Sequence, residues 1–231
     1  MLEIRNLTGG WGPTTIVEDV SVTLANGETM VLIGRNGVGK STLLELITNR
    51  ARRVSGAVRL NGEDISALPT HERARRGLGY VPQQREVFAS LTVKEHMAIA
   101  QQPGRWSESA VLELFPSLNA RMSSKGSQLS GGEQQMLAIA RALLGNPSVL
   151  LMDEPSEGLA PIVVEQLVHA MRALADDGSL SILLVEQRID VALDLAARYL
   201  IMDRGRVVYS GPTADLRMRP EQLPQMMGLE S

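Results

Sequence analysis

Apolar residues recur along the chain in two arrangements. Short continuous runs, Met30-Val31-Leu32-Ile33, Val149-Leu150-Leu151-Met152 and Ser181-Ile182-Leu183-Leu184-Val185-Glu186, read as strands buried on both faces. Helically spaced segments alternate with them. Leu43-Leu44-Glu45-Leu46-Ile47 follows the first run, and Ile162, Val163, Leu167, Val168, Met171 and Leu174 mark an amphipathic helix after Pro161, ended by Asp177-Gly178. A further unit runs through Val191, Leu195 and Ala196 into Tyr199-Leu200-Ile201-Met202, a Gly205 turn and Val207-Val208-Tyr209. Such alternation predicts an α/β fold with a mainly parallel sheet covered by helices on both faces.

Two regions depart from it. Leu2 to Val31 holds strand candidates with Gly turns, notably Ile16 to Leu24 followed by Asn26-Gly27 as a hairpin-like turn, and Val58-Arg59-Leu60 before Asn61-Gly62 is another short strand. These predict an antiparallel β-layer beside the parallel sheet. From about Arg85 to Asn146 strand signals fade, and helices are expected at Val93 to Gln101, Ser107 to Leu114 and Gly132 to Leu144, separated by Pro103-Gly104 and a Ser/Gly-rich stretch at 123–127. The expected organisation is one domain over 1–231: a core with β-layer in 1–84 and 147–231, and an inserted helical subdomain in 85–146. The segment after Gly211 is too short for another domain, and Met218, Met226 and Met227 within it are expected to pack on the core.

Composition narrows the function classes. With 231 residues and 44% hydrophobic content the chain can bury a large core. A formal charge of −3 gives no general polyanion-binding signal, so nucleic acid is not an expected partner. The clusters Arg50-Arg52-Arg53 and Arg73-Arg75-Arg76 are local and read as solvated helix faces in preference to phosphate or lipid contacts. The absence of cysteine excludes disulfides and thiolate metal sites. No signal peptide is visible at the start, and no apolar run approaches the ~20 residues a spanning helix needs, so membrane attachment is expected only through partners.

The chemistry begins at Gly34-Arg35-Asn36-Gly37-Val38-Gly39-Lys40-Ser41-Thr42, which has the spacing G-x-x-x-x-G-K-[ST] between a strand and a helix. Glycines free the backbone N–H groups to wrap phosphates, and the helix start adds its partially positive end. Lys40 is expected to reach the β- and γ-phosphates and Ser41 to coordinate Mg²⁺. The plainer alternative is a Gly-rich turn before an ordinary helix. The run Val149 to Met152 ends in Asp153-Glu154-Pro155, placing two acids at the carboxyl end of a buried strand. Asp153 fits a Mg²⁺-organising carboxylate and Glu154 a base for the attacking water, although a capped turn would also explain the pair. Between these elements stands Leu129-Ser130-Gly131-Gly132-Glu133-Gln134-Gln135, a Ser-capped helix start ready for an anion.

In chain order the motifs resemble those of the nucleotide-binding subunit of ABC transporters over nearly the whole chain, and the Val185-Glu186-Gln187 ending, with Pro155-Ser156-Glu157-Gly158-Leu159-Ala160-Pro161 upstream, is similar to the smaller ATPase subunit of branched-chain amino-acid importers and their urea and amide relatives. The resemblance implies a P-loop NTPase of RecA-like form that uses ATP and Mg²⁺. It implies that Ser130, Gly131, Gly132 and Glu133 close on the γ-phosphate held by a second subunit, arranged head to tail. Trp11 matches the aromatic that stacks on adenine, against a buried core role, and Gln83 matches the glutamine that touches Mg²⁺ or the attacking water, against a plain loop role. Ser156 to Ala160 matches the loop crossing the dimer interface, with Ala160 where many relatives carry an acid. Gln187 stands where most relatives have a histidine contacting the γ-phosphate; its amide can donate a hydrogen bond but carries no proton or positive charge. His71, His96 and His169 fall elsewhere and read as surface or partly buried helix residues.

The partners implied are a second ATPase chain, a distinct one in preference to a second copy of this chain, transmembrane permease subunits contacted through Gln84 to Thr92 with Phe88 as anchor or core residue, and indirectly a solute-binding protein. The location implied is the cytoplasmic face of the plasma membrane. An exporter ATPase for lipid or polysaccharide is the nearer rival, and a non-transport ABC protein the more distant one. The single phosphate loop, the single signature and the lack of extended heptads speak against the latter.

Overall fold

The computed structural model describes residues 1–218, 221 and 226. Two sheets carry it. The first is antiparallel, ordered β2-β1-β4-β5, from β1 (Leu2–Trp11), β2 (Thr14–Leu24), β4 (Arg52–Leu60) and β5 (Glu63–Asp64). The second is ordered β10-β9-β3-β8-β7-β6, from β3 (Thr29–Ile33), β6 (Leu78–Val81), β7 (Val149–Asp153), β8 (Ser181–Val185), β9 (Arg198–Asp203) and β10 (Arg206–Pro212). All its pairings are parallel except that of the edge strand β10 with β9.

Alternate residues of the parallel strands feed two different cores. Met30 and Leu32 of β3 join a core shared with the antiparallel sheet and with α1 (Lys40–Ile47), whose Leu43, Leu44, Leu46 and Ile47 are buried there. Val31 and Ile33 join a core built with α3 (Val93–Ala100), α4 (Glu108–Leu114), α5 (Pro116–Asn119), α6 (Gly131–Leu144), α7 (Pro161–Asp176) and α8 (Ile189–Leu195). Burial on both faces explains why these strands are continuous apolar runs instead of alternating ones. Two further helices, α2 (Thr70–Arg75) and α9 (Thr213–Met218), lie between β5 and β6 and after β10 in the chain.

Register puts the strand ends together. Val81 pairs with Met152, Asp153 with Val185, and Leu32 with Val185, so the residues following β6, β7, β8 and β3 emerge along one edge of the sheet. This carboxyl edge is where open α/β sheets bind ligands.

Several expectations need correction. Asn26-Gly27 is a turn, with Gly27 at φ +70°, but it leads from one sheet to the other and closes no hairpin. Gly9, Gly10 and Trp11 lie within β1, where a Cβ on Gly10 would stand 2.2 Å from the Thr14 carbonyl oxygen; these glycines serve close strand approach, not a turn. Arg52 and Arg53 belong to β4 and not to a helix face.

Arg73 is the largest departure, because its side chain is 1% exposed and not solvated. Its guanidinium donates to the carbonyls of Leu68 (3.0 Å), Leu46 (3.1 Å), Ile47 and Ser66 (2.9 Å), stapling α2 to the end of α1. Burial lowers its pKa to about 10, which leaves it charged at neutral pH. His96 is likewise fully buried on α3: its Nε2 accepts the Phe88 N–H at 3.0 Å and its Nδ1 lies 2.7 Å from the Thr92 carbonyl. Phe88 stacks on this imidazole but is itself exposed, which removes the core alternative for it. Met218 is 73% exposed, Met226 packs on the core, and Met227 lies outside the described residues.

Candidate functional site

The glycine-rich loop leaves β3 at Gly34 and ends where α1 begins. Gly37 and Gly39 hold φ of +81° and +109°, a conformation that other residues adopt only under strain, and Gly39 is the N-cap of α1. A Cβ on Gly34 would come within 2.5 Å of the Met202 carbonyl oxygen, so β9 passes directly against the loop. The first residues of α1, Lys40, Ser41 and Thr42, line the cavity above the loop, where a helix start leaves N–H groups without intrahelical partners.

Lys40 is buried beneath that cavity. Its Nζ donates to the carbonyls of Gly34 (2.8 Å) and Arg35 (3.1 Å) and stands 3.4 Å from Glu154 Oε1. Beside it, Ser41 Oγ donates to Asp153 Oδ1 at 3.1 Å. Burial, with the negative charge of Glu154 close by, pushes the Asp153 carboxyl up to about 6 against the pull of the Ser41 hydrogen bond. Two hard oxygen ligands side by side at the end of a strand suit Mg²⁺, which binds through one or two carboxylates plus substrate phosphates. A divalent ion would favour the ionised carboxylate against the burial that raises it, so the donor set fits the metal.

Glu154 sits in the left-handed region at φ +46°, strained for a residue with a Cβ. Its N–H donates to the Val185 carbonyl at 2.9 Å, and its carboxylate is held from two sides, by Lys40 and by the Gln187 amide, which donates to Oε2. The arrangement can hold an ionised carboxylate in one orientation over the phosphate loop.

The cavity has a volume of about 420 Å³ and brings most predicted residues together. Asn36, Gly37, Gly39, Lys40, Ser41 and Thr42 line one side, Gln83, Glu154, Glu157 and Gln187 the other. Gly34 and Arg35 contribute the carbonyls that receive Lys40, and Val38 packs on the core between the sheets. Gln83 is exposed and donates to the Glu157 carboxylate. Trp11, 45% exposed at the end of β1, is not a core residue and does not line this cavity.

The signature segment lies outside the cavity. Ser130 Oγ accepts the Glu133 N–H at 3.3 Å while Glu133 Oε2 accepts the Ser130 N–H at 2.8 Å, a reciprocal cap on α6. The capping role thus accounts for both Ser130 and Glu133, which the sequence reading credited to Ser130 alone. Of the glycines between them, Gly132 is fixed by its neighbour, since a Cβ there would fall 2.5 Å from Val163 Cγ1 of α7, whereas one on Gly131 would meet only the movable end of Arg85 at 3.0 Å.

Sequence reasoning missed two residues of this neighbourhood. Arg85, at φ +62°, donates to Gln135 Oε1 (3.2 Å) and to the Glu157 carbonyl (3.4 Å), joining the loop after β6 to α6 and to the loop after β7. Glu186 is buried directly after β8; an acid closing an apolar strand was the available signal.

Residues 17–157 match the family model described as ABC transporter, which is more than half of the chain. The chain belongs to the ABC transporter ATP-binding family. Over 99% of its length it is 39% identical to the high-affinity branched-chain amino acid transport ATP-binding protein BraG of Pseudomonas aeruginosa, covering all of that protein. It is 40% identical to the probable branched-chain amino acid transport ATP-binding protein LivF of Archaeoglobus fulgidus, over 94% of each chain. It is 35% identical to the lipopolysaccharide export system ATP-binding protein LptB of Haemophilus influenzae, over 98% of this chain and 96% of that one. Among solved structures, the dimeric post-hydrolysis state of the cassette MJ0796 bound to ADP and Pi superposes with a TM-score of 0.79 at 26% identity, over 92% of this chain and 99% of that chain.

As an ABC ATPase the chain hydrolyses ATP in the service of transmembrane transport, and cassettes of this family dimerise and work with permease subunits. Among the described residues no helix is long and apolar enough to cross a membrane.

Proposed function

We propose that the chain is an ATP-hydrolysing subunit of an importer for branched-chain amino acids, working at the cytoplasmic membrane face in a heterodimer with a second ATPase chain. The observation that carries the substrate class is the end-to-end similarity to BraG, at 39% identity over all of that protein. Permease subunits and a solute-binding protein that selects the cargo complete the assembly.

In this reading Gly34 to Thr42 cradle the phosphates, Lys40 neutralises β- and γ-phosphate charge, and Glu154 accepts the proton of the attacking water. Ser41, Asp153 and Gln83 would hold Mg²⁺, which would supply Lewis-acid charge to the phosphates when bound. Gln187 orients Glu154, Trp11 stacks on adenine, and Ser130 to Glu133 reach the ATP bound by the partner chain. Residues 85–146 form the subdomain that carries this signature. Because only the closed dimer engages both half-sites, ATP binds it with the differential affinity a switch requires.

A second reading, an exporter ATPase, is favoured by the 35% identity to LptB over 98% of this chain. Purifying a Glu154→Gln variant with Mg-ATP from mildly solubilised membranes separates the two. Two multi-spanning subunits, a second ATPase and leucine- or valine-dependent uptake in the parent complex are expected. A lipopolysaccharide-bearing complex with two copies of this chain would replace the importer reading.

A further inference from the structure

Glu186 stands one residue before Gln187 and is 1% exposed. Neither the phosphate loop nor the Glu154 clasp uses it directly. Its carboxylate joins two loops: Oε1 accepts the Ser156 N–H at 3.2 Å, and Oε2 accepts the N–H groups of Gln187 (3.2 Å) and Arg188 (3.4 Å). Ser156 follows Glu154 by two residues on the loop leaving β7; Gln187 and Arg188 begin the loop leaving β8. The two loops border a cavity of about 280 Å³ lined by Glu154, Ser156, Leu159, Glu186 and Gln187 among others.

A buried carboxylate is costly unless its oxygens are satisfied. Burial pushes the Glu186 carboxyl up, and the Ser156 side chain together with the N–H groups of Arg188, Ser156 and Gln187 pulls against it. Backbone groups of both loops are among these partners, so the carboxylate fixes the course of the two loops and not merely one side chain. The same two strand exits carry Glu154 and Gln187, whose amide donates to Glu154 Oε2.

We infer that Glu186 is a positioning residue for ATP hydrolysis: it clamps the Ser156 backbone to the start of the β8 exit loop and thereby holds the Gln187 amide on Glu154. The inference rests on the reading of Glu154 as the base. It also gives the loop from Ser156 to Ala160 a backbone route to the hydrolytic residues, at a place where Ala160 offers no carboxylate. Displacement of Ser156 moves Glu186, and Glu186 moves Gln187.

The test is a double-mutant cycle in kcat on the full chain within the membrane complex recovered with it. In Glu186→Gln one oxygen can still accept the Ser156 N–H, but the amide nitrogen cannot accept from Gln187 and Arg188. Glu186→Gln is expected to lower kcat about tenfold with KM for ATP within about twofold, and Gln187→Ala to lower kcat by a similar factor. The double variant should fall no further than Gln187→Ala alone, because Glu186 acts through Gln187. Multiplying losses, or a Glu186→Gln kcat at the parent level, would overturn the inference. So would a loss of kcat that follows the melting temperature alone and vanishes on cooling. Glu154→Gln is measured in parallel: if it turns over like the parent, the reading of Glu154 as base fails, whereas its inactivity beside a normal Glu186→Gln removes only the clamp.

Discussion

The side-chain amide of Gln187 donates a hydrogen bond to Glu154 Oε2, while Lys40 Nζ stands 3.4 Å from Oε1 of the same carboxylate. A neutral amide thus occupies the position where a histidine is usual in the family, and it orients the carboxylate without carrying a titrating proton. Removing the donor in Gln187→Ala should reduce kcat by at least about tenfold, the scale expected when one preorganised donor is lost from a low-dielectric site. Gln187→His should recover much of the rate and add an inflection near pH 6.5 that the parent lacks. Steady-state hydrolysis between pH 6 and 9 checks both, and a parent profile already inflected there would contradict the role given to the amide.

Asp153 carries a stability cost at neutral pH in the nucleotide-free protein. Its carboxyl is raised from the ordinary 3.8 to about 6, so its contribution to stability is intact below 3.8 and lost as pH rises through 6. A shift of this size corresponds to about 3 kcal/mol. Asp153→Asn should therefore raise the melting temperature at pH 7.5 by about 5 °C or more, with the gain shrinking towards pH 4. The same variant should lose Mg²⁺-dependent ATP turnover. Calorimetry across that pH range, with and without Mg-ATP, reads both effects, and an unchanged melting temperature would show that Asp153 is not destabilising.

Arg73 has no part in catalysis and should nevertheless be among the least replaceable residues. Its guanidinium satisfies the buried carbonyls of Leu46 and Ile47 in α1 and the half-buried ones of Leu68 and Ser66. Arg73→Met would take this donor from the Ile47, Leu68 and Ser66 carbonyls, Leu46 keeping the Asn49 N–H, and cost about 3–5 kcal/mol. Lysine, with one ammonium in place of a planar fork, should rescue little of it. Urea denaturation gives the difference in midpoint.

What could be read in the sequence was whatever depends on local pattern. The parallel strands, the phosphate loop and the acids after β7 all stand where apolar runs and glycine spacing placed them, and helices α4 and α6 begin within one residue of the expected starts. Arg73 was hidden because the triplet Arg73-Arg75-Arg76 looks like any basic helix face; only the path of α1 above it determines which arginine turns inward. Glu186 and Arg85 were hidden for the same reason, since each gains its meaning from loops more than 25 residues away, at Ser156 and at Glu157. Asn26-Gly27 carried a sound turn signal but no information about which sheet the next strand would join.

The signature glycines can be separated by one substitution and its compensation. Gly132 is part of a helix start, yet its missing Cβ is what lets α6 lie against α7: a methyl there would stand 2.5 Å from Val163 Cγ1 and 3.2 Å from Cγ2. Val163 is partly buried against the core near the start of α7, which follows directly on the loop from Ser156 to Ala160. Gly132→Ala should therefore push α7 outward and cost about 1–3 kcal/mol, as overpacking does elsewhere. If that contact is the whole cause, Val163→Ala in the same chain should restore most of the lost stability while costing little by itself. ATPase activity separates packing from chemistry in the restored double variant. Stability and activity returning together would mean that Gly132 serves helix packing, whereas stability returning without activity would mean that the position must also stay bare to approach the partner's nucleotide.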